Sequence, residues 1–327
     1  MESAWGQGCA SYPSRVPKSD GRHCRCVSRF AQCLCAKLLS GFPPGGINDT
    51  YARLIGQWLS EHLGQQFIIE NHPGVGGNLA AETVAKAEPD GYTLLLTTPA
   101  DAWNATLYNN LNFNYARDFT PVATMSRGAG ILVVNPVGTG QNVSEFIADA
   151  KAYPGKISMA SAGIGSAPYM FWELFKSMSG IELMHVPYRG GGPAVVDLLA
   201  GRVQSYFGTF ASSIEHVRRG HLRALAVTSA TPRCGSARCT GGFAEVLPGC
   251  EASIYVGITA PRGTQSDVIA TLSASINQAL NDPGIKKRIA DLGDMTLATS
   301  PAEFSKLVFD ETDKWRKVTQ QVNIKAE

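Results

Sequence analysis

Four glycine-rich loops, each feeding a helical pattern, constrain this chain more than any other feature. The first is Gly41-Phe42-Pro43-Pro44-Gly45-Gly46-Ile47. Two prolines stiffen it, and two glycines let the backbone turn sharply and approach another group closely. From Asp49 to Leu63 the pattern is helical, with Leu54, Ile55, Trp58, Leu59 and Leu63 on one face. A glycine loop entering a helix presents unbonded N–H groups at the positive end of the helix dipole, which suits an anion without any cationic side chain. The second loop, Asn71 to Gly77, follows a strand pattern at Gln66–Glu70 and precedes a short helix from Asn78 to Ala87. The third, Ser161 to Ser166, follows a strand from Lys156 to Ala160 and feeds a helix from Ala167 to Met178. The fourth, Pro187 to Pro193, lies between a strand at Leu183–Val186 and a helix at Ala194–Ala200. Strand, loop and helix in alternation predict an α/β layer built on a parallel sheet.

The remaining segments fit that plan. Tyr92 to Thr97 reads as a buried strand, and Gly130 to Val134 as another. Ala100 to Arg127 is polar and aromatic without a long helical period. Ile254 to Ala260 reads as a strand returning to the first half. Ser300-Pro301-Ala302-Glu303 is a full helix-start signal, and Phe304, Leu307, Val308 and Trp315 form the buried stripe behind it.

With 327 residues, 44% hydrophobic and 17% charged, the chain can bury a large core and suggests two domains. A net charge of +2 and the lack of a basic stripe interleaved with aromatics give no reason to expect nucleic acid. No apolar run approaches the length of a membrane span. Gly74-Val75-Gly76-Gly77 invites a dinucleotide reading, but the G-x-G-x-x-G spacing fails at Ala80, so no cofactor is expected. Gly165-Ser166-Ala167 is not a nucleophile elbow, and Ser166 reads as a cap or a hydrogen-bond donor to a ligand. No acid–base or nucleophile–base pair is evident, so an enzyme is not expected.

Of eight cysteines, five lie at 9, 24, 26, 33 and 35 and three at 234, 239 and 250. Their Cys-x-Cys spacing does not match structural zinc sites, so no metal is expected. Residues 1–39 stand apart as an atypical N-terminal segment without a clear signal peptide, read as disordered or as a signal region out of frame. Residues 234–243 are equally unusual and invite the same frame-error reading.

Taken together, the motifs are familiar. Gly41 to Gly46 with Asp49 and Arg53, Glu70 to Gly77, Pro89-Asp90-Gly91-Tyr92-Thr93-Leu94, Asp118 to Val122, Ala160 to Ser166, His185 to Gly190, Leu222 to Thr228, and Ser300 to Phe304 with Lys314-Trp315 occur in this order. The chain resembles the solute-binding receptors of tripartite tricarboxylate transporters, the TctC/Bug family, over nearly all of residues 40–327. The resemblance implies an α/β type II periplasmic-binding-protein fold. Lobe 1 would comprise 40–131 plus 253–327 and lobe 2 would comprise 132–252, with a hinge and an interlobe ligand cleft. It implies a periplasmic monomer that passes a small carboxylated ligand to membrane permease subunits; a ligand sensor for a signalling partner is the alternative, and an enzyme on the same scaffold a weaker one. Carried over, the ligand residues would be Phe42, Pro44, Gly45, Gly46 and Asp49 on one side and Ser161, Gly163, Gly165 and Ser166 on the other. Thr97, Thr98 and the loop to Asn104 would help select the ligand. Read from the residues of the fourth loop themselves, Tyr188 and Arg189 are candidates to contact a ligand, the alternative being a lobe-stabilising contact beneath the loop.

Overall fold

Leu38 and Leu39, which alone stand for the first strand in the sequence pattern, lie inside a five-residue strand, β1 (Ala36–Ser40). Both are buried, and β1 is flanked on each side by a parallel neighbour. The computed structural model describes residues 35–108, 110–137, 140–229, 242–250 and 252–322. Residues 1–34 and 230–241, with Cys9, Cys24, Cys26, Cys33, Cys234 and Cys239, lie outside the described residues.

The other strands are β2 (Phe67–Asn71), β3 (Thr93–Thr97), β4 (Phe119–Val134), β5 (Ser158–Ser161), β6 (Met184–Pro187), β7 (Ser205–Thr209), β8 (Arg223–Val227), β9 (Ser253–Pro261) and β10 (Met295–Thr296). The helices are α1 (Ile47–Leu63), α2 (Asn78–Ala85), α3 (Pro99–Leu107), α4 (Tyr115–Asp118), α5 (Val143–Ala152), α6 (Ala167–Ser179), α7 (Gly191–Leu199), α8 (Phe210–Arg218), α9 (Ser266–Ala279), α10 (Pro283–Asp291) and α11 (Pro301–Val322).

The sheet runs β2-β1-β3-β9-β4-β7-β5-β6. Its two halves meet at β4. From Phe119 to Ala129 this strand pairs antiparallel with β9, and from Gly130 onward it pairs with β7 and β8. A sixteen-residue strand therefore belongs to both halves, and β9 makes the return crossing. In each half, two neighbouring parallel strands, β1 and β2 in one and β5 and β6 in the other, end in the glycine loops, because a parallel pair needs a helical crossover and the chain must turn at the strand's carboxyl end.

Two segments differ from the sequence reading. The stretch after Ala100 holds a full helix, α3. Its Thr98 N–H donates to the Asp101 carboxylate (2.8 Å), which caps the first turn. Almost every α3 residue is buried, so no polar face exists to betray a helical period. The strand expected from Gly130 is only the end of β4, whose first eleven residues carry two register shifts against β9 that blur the alternation.

The hydrophobic core spans both halves. Trp103 and Leu107 of α3 and Trp315 of α11 join Phe146, Trp172, Phe175 and Phe207 in one cluster. Trp103 and Trp315 meet edge to face with centroids 4.9 Å apart.

Two buried carboxyls are set into this framework. Asp294 accepts hydrogen bonds from the Tyr51 hydroxyl (2.9 Å) and the Ser126 hydroxyl (3.3 Å), lying against Gly128 of β4, where a Cβ would overlap it. Asp101 accepts from Thr97 Oγ1 (2.9 Å) besides Thr98. Burial pushes each pKa up to about 6. A carboxyl whose folded pKa is raised keeps its proton where the unfolded chain has released it. Its favourable contribution is thus complete below the ordinary carboxylate range and is lost as pH rises through about 6. Asparagine at 294 can still accept from Tyr51 but cannot ionise. The melting-temperature difference of Asp294→Asn over wild type should therefore become more positive from pH 4 to 7. A difference independent of pH would show that this carboxyl does not titrate in that window.

Candidate functional site

The first two glycine loops are packed against each other. The Ser40 carbonyl accepts from His72 N–H (2.8 Å), and Asn71 Nδ2 donates to the Phe42 carbonyl (3.0 Å). A Cβ on Gly41 would stand 2.6 Å from Gly77 Cα, so this approach requires glycine. Between them Val75 adopts φ 49°, the single positive φ of a non-glycine among the described residues. For a β-branched residue that is strained backbone, of the kind concentrated at ligand sites.

The α1 entrance holds an anion supplied by the chain itself. Asp49 Oδ2 accepts from Gly45 N–H (3.0 Å) and Arg53 Nε (3.0 Å), and Oδ1 meets Arg53 Nη2 at 2.9 Å. Burial pushes the Asp49 pKa up, but Arg53, the Gly45 N–H and Asn71 together hold it below the ordinary range. Pro44 and Gly45 are exposed on the outer part of this turn.

In the other half, Ser161 at the end of β5 is fully buried. Its hydroxyl lies 2.7 Å from His185 Nε2 and accepts from Gly163 N–H (3.2 Å). Burial pushes the His185 pKa down to about 4, with nearby Lys176 adding to this, so the imidazole is neutral at pH 7. The Ser166 hydroxyl donates to the Gly163 carbonyl (2.6 Å) and accepts from Tyr169 N–H (3.4 Å), so Ser166 is the α6 cap. Tyr188 N–H donates to the Ser161 carbonyl (3.0 Å), and its hydroxyl to Asp197 (2.8 Å).

Helix α3 and the residue just beyond it tie the halves together. Trp103 Nε1 donates to the Gly165 carbonyl (2.8 Å), and the Tyr108 hydroxyl donates to the Ile164 carbonyl (3.1 Å). Gly76 lies so near that a Cβ on it would be 2.8 Å from the Ile164 carbonyl oxygen. Between these contacts is a cavity of about 590 Å³. All four glycine loops wall it: Gly41–Pro43, Pro73–Gly77, Ala162–Ile164 and Pro187–Arg189, with Tyr108. The volume is within the range of small-molecule sites. No Asp or Glu lines it, and Arg189 is its one charged lining residue. The N–H groups of Phe42, Ile164 and Gly165 donate none of the hydrogen bonds found among the described residues.

Of the residues expected to touch a ligand, Phe42, Gly163 and Tyr188 line this cavity. Ser161, Gly165 and Ser166 are in the loop immediately behind it. Thr97 is bonded to Asp101 and Tyr115, and Thr98 caps α3. Asn104 is wholly buried, donating to Asn78 Oδ1 (2.9 Å) and the Gly76 carbonyl (3.3 Å). Pro44, Gly45, Gly46 and Asp49 belong to the α1 turn and are not in the wall. The sequence reading did not name the wall residues of the second loop, Tyr108 or Ile164 as ligand contacts; Arg189, which it offered beside Tyr188, lines the cavity. The glycine cluster after β2, alike in form to the first loop, was the available signal.

The family described as the tripartite tricarboxylate transporter family receptor matches residues 51–324. Protein BugT of Bordetella pertussis is 32% identical over 292 residues, spanning 88% of this chain and 89% of BugT. The R. palustris protein Rpa4515, solved with adipate, superposes with a TM-score of 0.85 at 33% identity, over 89% of this chain and 98% of that one. MatC of Rhodopseudomonas palustris, solved with bound malate, gives 0.83 at 30%, over 87% and 98%. The solved neighbours include the periplasmic binding protein BugD, so the α/β sheet crossed twice at its middle is the type II periplasmic-binding-protein fold. By sequence, motif order and fold, the chain belongs to the TctC/Bug family of solute-binding receptors.

Proposed function

We propose that this protein captures a small carboxylated metabolite in the cavity between its two lobes and delivers it to the permease subunits of a tripartite tricarboxylate-type transporter. It would work in the periplasm as a binding protein and not as an enzyme. The lobes are taken as 40–131 plus 253–327 and 132–252. The observation that carries the reading is the cavity wall: loops from both sheet halves converge on one hollow with backbone amides, one cation and no carboxylate. Such a wall favours an anion electrostatically. Hydrogen bonds to a charged group contribute about 1.5–3 kcal/mol each, so about four of them, before ordering costs, supply the roughly 8 kcal/mol of micromolar binding. Amide donors carry no full charge, which leaves the ligand releasable. The relatives solved with adipate and malate support the carboxylate class.

The test is thermal denaturation and calorimetry with adipate, malate, citrate, benzoate and glutamate. A ligand at a hundred times its Kd stabilises the folded state by about 2.7 kcal/mol, which raises the melting temperature by several degrees. Correctly folded protein that responds to no carboxylate would sink the reading.

A further inference from the structure

We infer that the cavity selects carboxylates whose remaining atoms are hydrocarbon, and turns away those that also carry a hydrogen-bond donor, the hydroxy acids and amino acids. This rests on the carboxylate reading above and goes beyond it by saying what the rest of the ligand must be. Three observations carry it.

The first is the choice of side chains. No wall residue is Asp, Glu, Asn, Gln, Ser, Thr or His, so the wall lacks the side chains that usually accept a hydrogen bond from a ligand. Arg189 can only donate. The two tyrosine hydroxyls are engaged with the protein, Tyr108 donating to the Ile164 carbonyl (3.1 Å) and Tyr188 to Asp197 (2.8 Å). The other side chains of the wall are hydrocarbon: Phe42, Val75, Ile164, Ala162 and the prolines.

The second is the state of the wall carbonyls. That of Phe42 accepts from Asn71 Nδ2 (3.0 Å), that of Gly74 from Gly77 N–H (3.0 Å) and that of Gly76 from Asn104 Nδ2 (3.3 Å). The Val75 carbonyl accepts from Asn78 N–H. The Gly163 carbonyl takes both the Ser166 hydroxyl (2.6 Å) and the Ser166 N–H (3.1 Å). A carbonyl already engaged accepts a further bond less strongly. Asn104 Oδ1 has no hydrogen-bond partner, but it is wholly buried behind Gly165 and outside the wall.

The third is the opposite state of the amides. The N–H groups of Phe42 and Ile164 donate none of the hydrogen bonds found among the described residues. A wall with spare donors and engaged acceptors fits a group that only accepts, and an ionised carboxylate is such a group. A hydroxyl or an ammonium must also donate, and on entering this cavity it gives up water without gaining a partner.

The experiment is calorimetry with matched acids: succinate with malate, butyrate with β-hydroxybutyrate, and butyrate with γ-aminobutyrate. Val75 and Ile164 are exposed at the cavity mouth, so water reaches part of the ligand and the expected preference for the parent over its hydroxy acid is about tenfold. The preference over the amino acid should be larger, because an ammonium also lacks an acid to pair with. The decisive variant is Tyr108→Phe, which frees the Ile164 carbonyl to accept from a ligand. It should narrow the gap between parent and hydroxy acid to about threefold. The ratio within a pair is the readout, so any general effect of the variant on stability or closure cancels. Equal affinities within the pairs, tighter binding of the hydroxy acid, or a gap unchanged by Tyr108→Phe would overturn the inference while leaving carboxylate capture standing. Folded wild type that bound none of these acids, nor any of the wider panel above, would overturn both.

Discussion

A Gly165→Ala variant is expected to be less stable than wild type and to bind its carboxylate roughly tenfold or more weakly, as expected when a charge-assisted hydrogen bond is misplaced. Two penalties add at this position. Gly165 adopts φ 78°, and a residue with a Cβ in that region is destabilised by roughly 1–2 kcal/mol. The added Cβ would also stand 2.5 Å from Asn104 Oδ1 and 3.2 Å from the Tyr108 ring. Asn104 cannot swing aside, because its amide is buried and bonded to Asn78 and Gly76. The loop must move instead, and with it Gly163 and Ile164 in the cavity wall. Gly45 supplies the control. Its φ is 81°, nearly the same, yet nothing lies within 4 Å of the added Cβ. Gly45→Ala should therefore show the backbone penalty alone and bind normally, since Gly45 is not in the wall. Chemical denaturation and calorimetry on both variants separate the terms. Equal losses of stability, with binding retained in Gly165→Ala, would show that the contact with Asn104 does not set the loop. Adding Asn104→Ala to the Gly165→Ala variant should restore part of the loss if the two residues are coupled as described.

That coupling also shows where sequence reading stops. The glycine loops were legible because their conformations need glycine whatever surrounds them, and strand–loop–helix alternation fixed the layer order. As a pair, Asp49 and Arg53 entered the sequence reading only as parts of the family motif. What local pattern could not show is that the Asp49 carboxylate bonds both the Gly45 N–H and Arg53 at the α1 entrance. Nor could it show which side of each loop faces the cavity. Nor could it show that the Ser161 hydroxyl, expected to face a ligand, meets His185, twenty-four residues later on the neighbouring strand. Arg189 stood out beside Tyr188 as a possible contact, but local pattern could not show that the fold leaves every acid out of the cavity wall around it. The helix α3 was hidden because burial on nearly all sides removes the periodic signal, although the residues that cross to the other half sit on it.

The largest loss of stability is expected from Trp103→Ala. The indole is fully buried, packs edge to face on Trp315 and donates to the Gly165 carbonyl. Removing it leaves a cavity in the core shared by both halves, which costs about 3–5 kcal/mol for a buried aromatic. That result alone would not distinguish packing from the hydrogen bond, so Trp103→Phe is the informative partner. Phenylalanine retains an apolar ring but cannot donate, leaving a carbonyl in a buried setting without its partner at about 1–3 kcal/mol. Because this carbonyl belongs to the loop behind the cavity wall, Trp103→Phe should weaken ligand binding as well as stability. Trp315→Phe, which touches the same cluster but has its indole N–H on Glu311, should lower stability while sparing affinity. The Trp103 bond spans sixty-two residues and crosses from α3 to the loop before α6. If Trp103→Phe bound its carboxylate as tightly as wild type, the Gly165 carbonyl would not be what positions that loop, and the cavity wall would owe its shape to the Tyr108 bond and the glycine contacts alone.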